Sequence, residues 1–216
     1  MWKPSALATI LAVASAGSAA AHPHVFVESR AEVVFDAGGR LSAVRHVWQF
    51  DEAFTAFAVQ GLDENGDGQL SREELQPLAQ INVESLAEYD FFTYLQLGES
   101  DVAFGAPEEY WLDFYGGRLT LFYTLPVAEP RIVDGATVKL DVYDPGYFVA
   151  FEMTRDTPFA MVDAPQACKL TFTPPPALDA AMAETLAQIP QSERQLSPDL
   201  MQVTETLSNS ATIGCK

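Results

Sequence analysis

Positive charge is scarce in this chain. Twelve lysines and arginines stand against 30 aspartates and glutamates, a formal net charge of −18 at pH 7. So acidic a surface repels nucleic acid and anionic lipid, and it concentrates cations instead. Long apolar runs are missing beyond the opening residues, so no later segment predicts a membrane helix. Cysteine is reduced to Cys168 and Cys215. Neither lies in a Cys-x-x-Cys or Cys/His cluster, which argues against a pair of metal-binding thiols. Gly-x-Ser-x-Gly elbows, His-Glu-x-x-His helices and phosphate-binding glycine loops are absent too, so the expected class is a binding protein rather than an enzyme.

What is present begins with a leader. Lys3, an apolar run from Ala6 to Ala16 and then Gly17-Ser18-Ala19-Ala20-Ala21 make the three-part layout of a secretory signal. The run is too short to span a bilayer. Ala19-x-Ala21 predicts cleavage before His22, and Ser18-x-Ala20 would permit a cut one residue earlier. In an oxidising compartment Cys168 and Cys215 are expected to form a disulfide. Closing that loop would stabilise the fold by about 4 kcal/mol and tie the C-terminus to the body.

The most specific segment is Asp63 to Glu74, whose spacing predicts a twelve-residue calcium loop of the EF-hand type. Asp63, Asn65 and Asp67 place oxygens at positions 1, 3 and 5, Gln69 offers its carbonyl at 7, Ser71 stands at 9 and Glu74 closes the site at 12. Gly68 supplies the sharp bend, and Leu70 is the apolar anchor. An acidic surface turn is the alternative. No second loop follows, so a lone hand reads as a structural staple rather than a cooperative sensor.

Alternation of apolar and polar residues predicts a hairpin of Val25 to Phe35 with Arg40 to Phe50, with Val27, Ala31 and Val33 sharing a face with Val44, Trp48 and Phe50. Helices are expected over about Asp51 to Leu62 and from Ser71 to Tyr89, with a kink at Pro77. Phe91 to Leu97 reads as a strand. Tyr110 to Tyr115 should pair with Arg118 to Leu125 across Gly116-Gly117, setting Tyr110 against Tyr123. Thr137 to Tyr143 and Tyr147 to Met153 read as a strand pair around Asp144-Pro145-Gly146, with positive φ at the glycine. Cys168 to Thr173 is a further strand. Short helices follow the Pro174-Pro175-Pro176 break, one bearing Leu178, Met182, Leu186 and Ile189, the next starting at Ser197-Pro198. The expected class is α+β, an antiparallel β-sandwich-like domain with an inserted EF-hand helix-loop-helix and C-terminal helices. Its organisation reads as signal peptide 1–21, β-rich domain 22–173 with the insertion at about 51–89, and a Pro-rich, helical segment 174–216.

The three histidines are His22, His24 and His46. With cleavage before His22, its free amine and imidazole can chelate one ion and His24 can add a third nitrogen, donors that suit nickel, cobalt, zinc or copper. Pro23 has no amide proton to lose, which excludes square-planar binding through two deprotonated amides. An N-terminal histidine chelate also resembles the histidine brace of copper oxygenases and copper carriers. The alternative for His22 and His24 is an exposed tail. His46 is the third transition-metal candidate, but its register places it on the apolar face, where a satisfied core histidine is the competing reading.

Ala21-His22-Pro23-His24-Val25-Phe26-Val27, the run His46-Val47-Trp48-Gln49-Phe50-Asp51-Glu52 leading into the acidic loop, Phe92-Thr93-Tyr94, and Tyr143-Asp144-Pro145-Gly146-Tyr147-Phe148 together resemble the bacterial domain-of-unknown-function family 1007. The similarity covers about His22 to Cys168. The stretch from Pro174 to Gln202 is longer than usual, and the chain carries no permease segment of its own. The resemblance implies a periplasmic component of an ABC-type transport system, set beside nickel/cobalt-type permeases. The expectation is an exported metal-binding accessory of a divalent transition-metal transporter, stabilised by calcium, with divalent ions and a membrane permease as partners. The alternative is a calcium-dependent structural or interaction module with no transition-metal role.

Overall fold

A computed structural model describes residues 22–133, 135–189 and 196–215. The expected signal peptide lies outside the described residues. Two sheets and four helices make a mixed α+β fold that is mostly β. The larger sheet runs β5 (Glu108–Tyr115), β6 (Arg118–Ile132), β2 (Arg40–Phe50), β1 (Val25–Phe35), β8 (Val149–Met153), with β9 (Phe159–Val162) also on β1. The smaller runs β10 (Cys168–Thr173), β11 (Asn209–Cys215), β7 (Thr137–Val142), β3 (Thr93–Leu97), β4 (Ser100–Asp101).

The β1–β2 hairpin keeps the expected register, with Val27 opposite Phe50, Ala31 opposite His46 and Val33 opposite Val44. Its apolar face is covered in two parts. Ala31, Val33, Phe35, Leu41 and Val44 pack with Leu95, Leu140, Val142, Ala211 and Ile213 of the smaller sheet. Val25, Val27, Trp48 and Phe50 pack instead with Leu75, Ala79 and Val83 of helix α2 (Arg72–Leu86). A seam therefore runs between the helix layer and the second sheet.

Local chemistry sets the helix ends. Asp51 caps α1 (Glu52–Ala58): its Oδ1 accepts from the Phe54 amide at 2.8 Å, while Oδ2 accepts from the Phe26 amide of β1 at 2.8 Å. Ser71 and Glu74 form a capping box on α2. Helix α1 is shorter than the spacing predicted, and α2 continues through Pro77 without the expected break. The deviation falls at Tyr89–Phe91, inside the 3-10 turn Ala87–Phe92. Helices α3 (Ala180–Ala187) and α4 (Pro198–Thr206) follow the proline run, with Ser197 as N-cap of α4.

Three expectations need correction. Strands β7 and β8 are not a pair: β7 lies between β11 and β3, whereas β8 runs parallel to β1. The Asp144 turn passes the chain from one sheet to the other, and its positive φ falls on Tyr147 rather than Gly146. The larger sheet is consequently mixed, because both β8 and β9 are parallel to β1. The β5–β6 pairing keeps the expected register from Trp111 to Tyr115 and shifts by one residue between Glu108 and Trp111, where Glu109 has φ 49°, so that Glu109 and Tyr110 share Tyr123 as their opposite.

Cys168 and Cys215 form a disulfide across the facing ends of β10 and β11. Replacing both by serine should lower unfolding stability by about 4 kcal/mol in urea titrations, reflecting the larger unfolded ensemble. A loss under about 1 kcal/mol would mean that β10 and β11 already hold the C-terminus without the crosslink.

Candidate functional site

Four stretches far apart in sequence meet at the seam: His22, Val25 and Val27 entering β1, Trp48 and Phe50 at the end of β2, Asp90 to Tyr94, and Asp144 to Val149. With Asn82, Ser85 and Leu86 of α2 they line a cleft of about 750 Å³.

The approach to β1 places His22 and His24 side by side, their ring centroids 5.1 Å apart and both against Phe148. The Phe148 carbonyl accepts from the amides of His24 at 2.9 Å and Val25 at 3.2 Å, which fixes this segment on the loop. His22 is 5% exposed and lines the cleft, and its Nδ1 has no hydrogen-bond partner. Asp144 lies within electrostatic reach of His22. Its carboxylate accepts from the Gly146 amide at 2.7 Å and the Val149 amide at 2.9 Å. Burial pushes its pKa up, against the pull of those amides and of His22. Tyr94 stands beside Tyr143, centroids 4.8 Å apart. Burial raises the Tyr94 phenol, with Tyr143, Asp90 and Asp144 adding to the rise, and burial pushes Tyr143 up to about 12. Both hydroxyls are therefore protonated donors at neutral pH.

His46 is not part of this group. It faces Ala31, seven residues along β1 from His24 and so about 20 Å away at strand rise. Its ring is buried, stacked on Tyr123 at 4.9 Å and edge-on to Trp48 at 5.4 Å. Thr93 Oγ1 donates to the Phe91 carbonyl, which leaves that oxygen to accept from His46 Nε2 at 3.2 Å. His46 is a core residue, and grouping it with His22 and His24 is corrected by the strand register.

The acidic loop is folded onto its own amides. Asp63 accepts from Gly66 at 2.9 Å, Asp67 at 3.1 Å and Gly68 at 3.0 Å. Asn65 accepts from Asp67, and Asp67 accepts from Gln69, each at 2.8 Å. Glu74 reaches back to the amides of Glu64 and Asn65 with one oxygen and to the amide and hydroxyl of Ser71 with the other. Those Ser71 bonds come first in holding its carboxyl below the usual range. Gly66 and Gly68 have φ of 72° and 78°, conformations that a Cβ would resist. Among the described residues no group of three or more His, Cys, Asp or Glu is already arranged around a metal position.

Fold and cleft define a two-sheet α+β protein with a pocket of small-molecule size at the seam between helix and sheet. The chain belongs to the family described as Protein of unknown function (DUF1007), whose model matches residues 7–215. That match continues through the C-terminal stretch where the resemblance was expected to weaken. The chain is also similar to an uncharacterised protein of Haemophilus influenzae, 23% identical over 132 residues, which are 60% of this chain and 62% of that relative's length.

Asp144, Tyr94, Asn82 and Trp48 were not expected as site residues. Asp144-Pro145-Gly146 reads as a turn and Phe92-Thr93-Tyr94 as part of the family resemblance, and nothing local in either signals a shared cleft.

Burial depresses His46 to a pKa of about 3, below the roughly 6.5 of an unfolded chain. Neutral His46 thus contributes fully above about pH 6.5, and that contribution declines as the pH falls toward 3. Between pH 8 and pH 5 the loss should be about 2 kcal/mol. Urea unfolding at both values should show His46→Gln lacking this share of the acid sensitivity. Equal pH dependence in the two proteins would mean that His46 can take up a proton in the folded state.

Proposed function

We propose that the protein is an exported divalent-cation-binding accessory of a transition-metal transport system, with calcium stapling the 63–74 loop. The observation that carries this reading is the His22–His24 pair, two imidazoles side by side, with His22 on the wall of a cleft that Asp144 also lines. Imidazole nitrogen with carboxylate oxygen suits nickel, cobalt, zinc or copper. His22 and His24 would hold the cargo ion, with the free amine of His22 as a further donor once the leader is removed. Phe148 orients both rings. The transport label follows the family resemblance, which implies nickel/cobalt-type permeases as neighbours; the expected leader supports export to the periplasm, and the formed disulfide fits an oxidising compartment. No described helix is long and apolar enough to cross a membrane.

The residues of the loop fit calcium. Three amides on Asp63 and the reach of Glu74 to the amides of Glu64 and Asn65 wind the loop and hold its two ends together. Asp63, Asn65, Asp67, Ser71 and Glu74, with the Gln69 carbonyl, would hold the ion, which supplies a crosslink between the two ends of the loop.

Titration of the leader-free protein with Ni²⁺, Co²⁺, Zn²⁺ and Cu²⁺ should give at least one tight ion, weakened tenfold or more by His22→Ala and by His24→Ala and unchanged by His46→Gln. Affinity no better than that of an unrelated acidic protein, or indifferent to both alanine variants, would refute the transition-metal reading and leave the calcium-dependent module in its place.

Calcium at about 100 times its Kd should raise stability by about 2.7 kcal/mol, roughly 5–10 °C in Tm for a domain of this size. Glu74→Gln should abolish the shift. A thermal melt that ignores calcium in the parent protein would rule out the staple.

A further inference from the structure

The cleft beside His22 is far larger than an ion. About 750 Å³ falls within the range of small-molecule sites, roughly 300–1,000 Å³. Two imidazoles leave two positions open on a tetrahedral ion and four on an octahedral one. Val25, Phe148 and Val149 line the cleft with His22, so waters on a bare ion there would turn hydrogens toward hydrocarbon. An organic chelator fills them with its own nitrogen and oxygen and presents carbon to the walls.

Other wall groups want a partner of that kind. Trp48 Nε1 and Asn82 Nδ2 are shielded donors without hydrogen-bond partners, and both residues line this cleft. They call for acceptor oxygens rather than for a cation. Among the described residues no lysine or arginine lines the cleft, whereas Glu88, Asp90 and Asp144 do, so an anionic complex would be repelled. One wall is also held in an uncommon backbone state: Asp90, Phe91 and Phe92 have consecutive φ of 50°, 53° and 48°. Three side-chain-bearing residues in the left-handed region mark a place where the fold sustains local strain, a pattern that concentrates at ligand sites.

We propose that the cleft accepts its transition metal as an uncharged or cationic complex with a small organic chelator of amino-acid type. The ion sits on His22 and His24, and the oxygens of the chelator accept from Trp48 Nε1 and Asn82 Nδ2. This rests on the reading of the two histidines as metal ligands. The step is ligand substitution: two imidazole nitrogens replace two waters on the incoming complex, the waters leave, and the oxidation state of the ion does not change.

The test compares Ni²⁺ alone, Ni²⁺ with one equivalent of L-histidine (a cationic complex) and Ni²⁺ with one equivalent of citrate (an anionic one). Equilibrium dialysis gives affinity, and native mass spectrometry shows whether chelator is retained with the metal. The leader-free protein saturated with calcium should retain nickel and histidine together, at least tenfold tighter than nickel alone, and should discriminate against the citrate complex. Trp48→Phe keeps a ring but removes the N–H, and Asn82→Leu removes a donor from a half-buried helix position. Each should shrink several-fold the ratio of the affinity for the histidine complex to that for bare nickel, with melting temperature confirming that each variant folds. Nickel retained without histidine, or equally tight with citrate, overturns this inference and leaves the histidine-pair reading standing. Nickel retained in no form overturns both.

Discussion

A buried carboxylate holds the two sheets and the candidate metal ligands in one arrangement. Asp144 follows β7 of the smaller sheet, and its oxygens take the amides of Gly146 and Val149, so the chain turns directly into β8 of the larger sheet. That turn presents the Phe148 carbonyl to His24 and Val25, starting the parallel β1–β8 ladder at Val25 opposite Val149. The same few residues therefore fix the sheet crossing, the register of β1 and the placement of two imidazoles. Burying a carboxylate is expensive unless its oxygens are occupied, and backbone amides do that here. Because its bonds are to amides, the geometry does not depend on any long flexible side chain.

The opposite wall is controlled from the acidic loop. Helix α2 begins at the Ser71–Glu74 capping box and buries Leu75, Ala79 and Val83, and its last turns bring Asn82, Ser85 and Leu86 to the cleft. Arg72 anchors the same helix to β5 through Asp113 at 2.7 Å and lies 5.2 Å over Trp111. That exposed pair is screened by solvent and contributes little, so the apolar stripe carries the position of the helix. The loop sets where the helix starts, and the stripe sets which face it turns. Both are needed to aim Asn82 into the cleft.

Much of this was legible in the sequence wherever the deciding forces are local. The β1–β2 hairpin follows from period-two alternation around a four-residue turn, and the starts of α2 and α4 follow from Ser71 and Ser197 as caps. Non-local decisions were not legible. Asn209–Cys215 is a short run of small and polar residues with weak strand character of its own, yet it lies between β10 and β7 and is buried at Asn209, Ala211 and Ile213. Its strand state is imposed by two neighbours. The Asp144 turn looked like a hairpin because its composition is that of one. Nothing in Asp-Pro-Gly tells whether the strands on either side belong to one sheet or two. The histidine pair could be read from its terminus, whereas Asp144, Tyr94 and Trp48 join it through tertiary packing alone. His46 shows the same limit from the other side, since pairing of β2 with β1 buries it opposite Ala31, seven residues along from His24.

The signs of the charges around the cleft determine what it can hold. Burial keeps Tyr94 protonated, and among the described residues the carboxylates lining the cleft are Glu88, Asp90 and Asp144. The overall charge of −18 acts at longer range, and at physiological salt it is screened beyond about 8 Å. It raises cation concentration near the surface but does not choose among cations. Choice falls to the groups inside that distance, which are few and set among Val25, Phe148 and Trp48. A small hydrated ion gains from the carboxylates and loses where its water meets those walls. A larger, softer cation keeps the first gain and avoids the second cost. The mixture of acid and aromatic carbon therefore selects by surface chemistry as well as by charge, which an oxygen-lined loop such as 63–74 does not do.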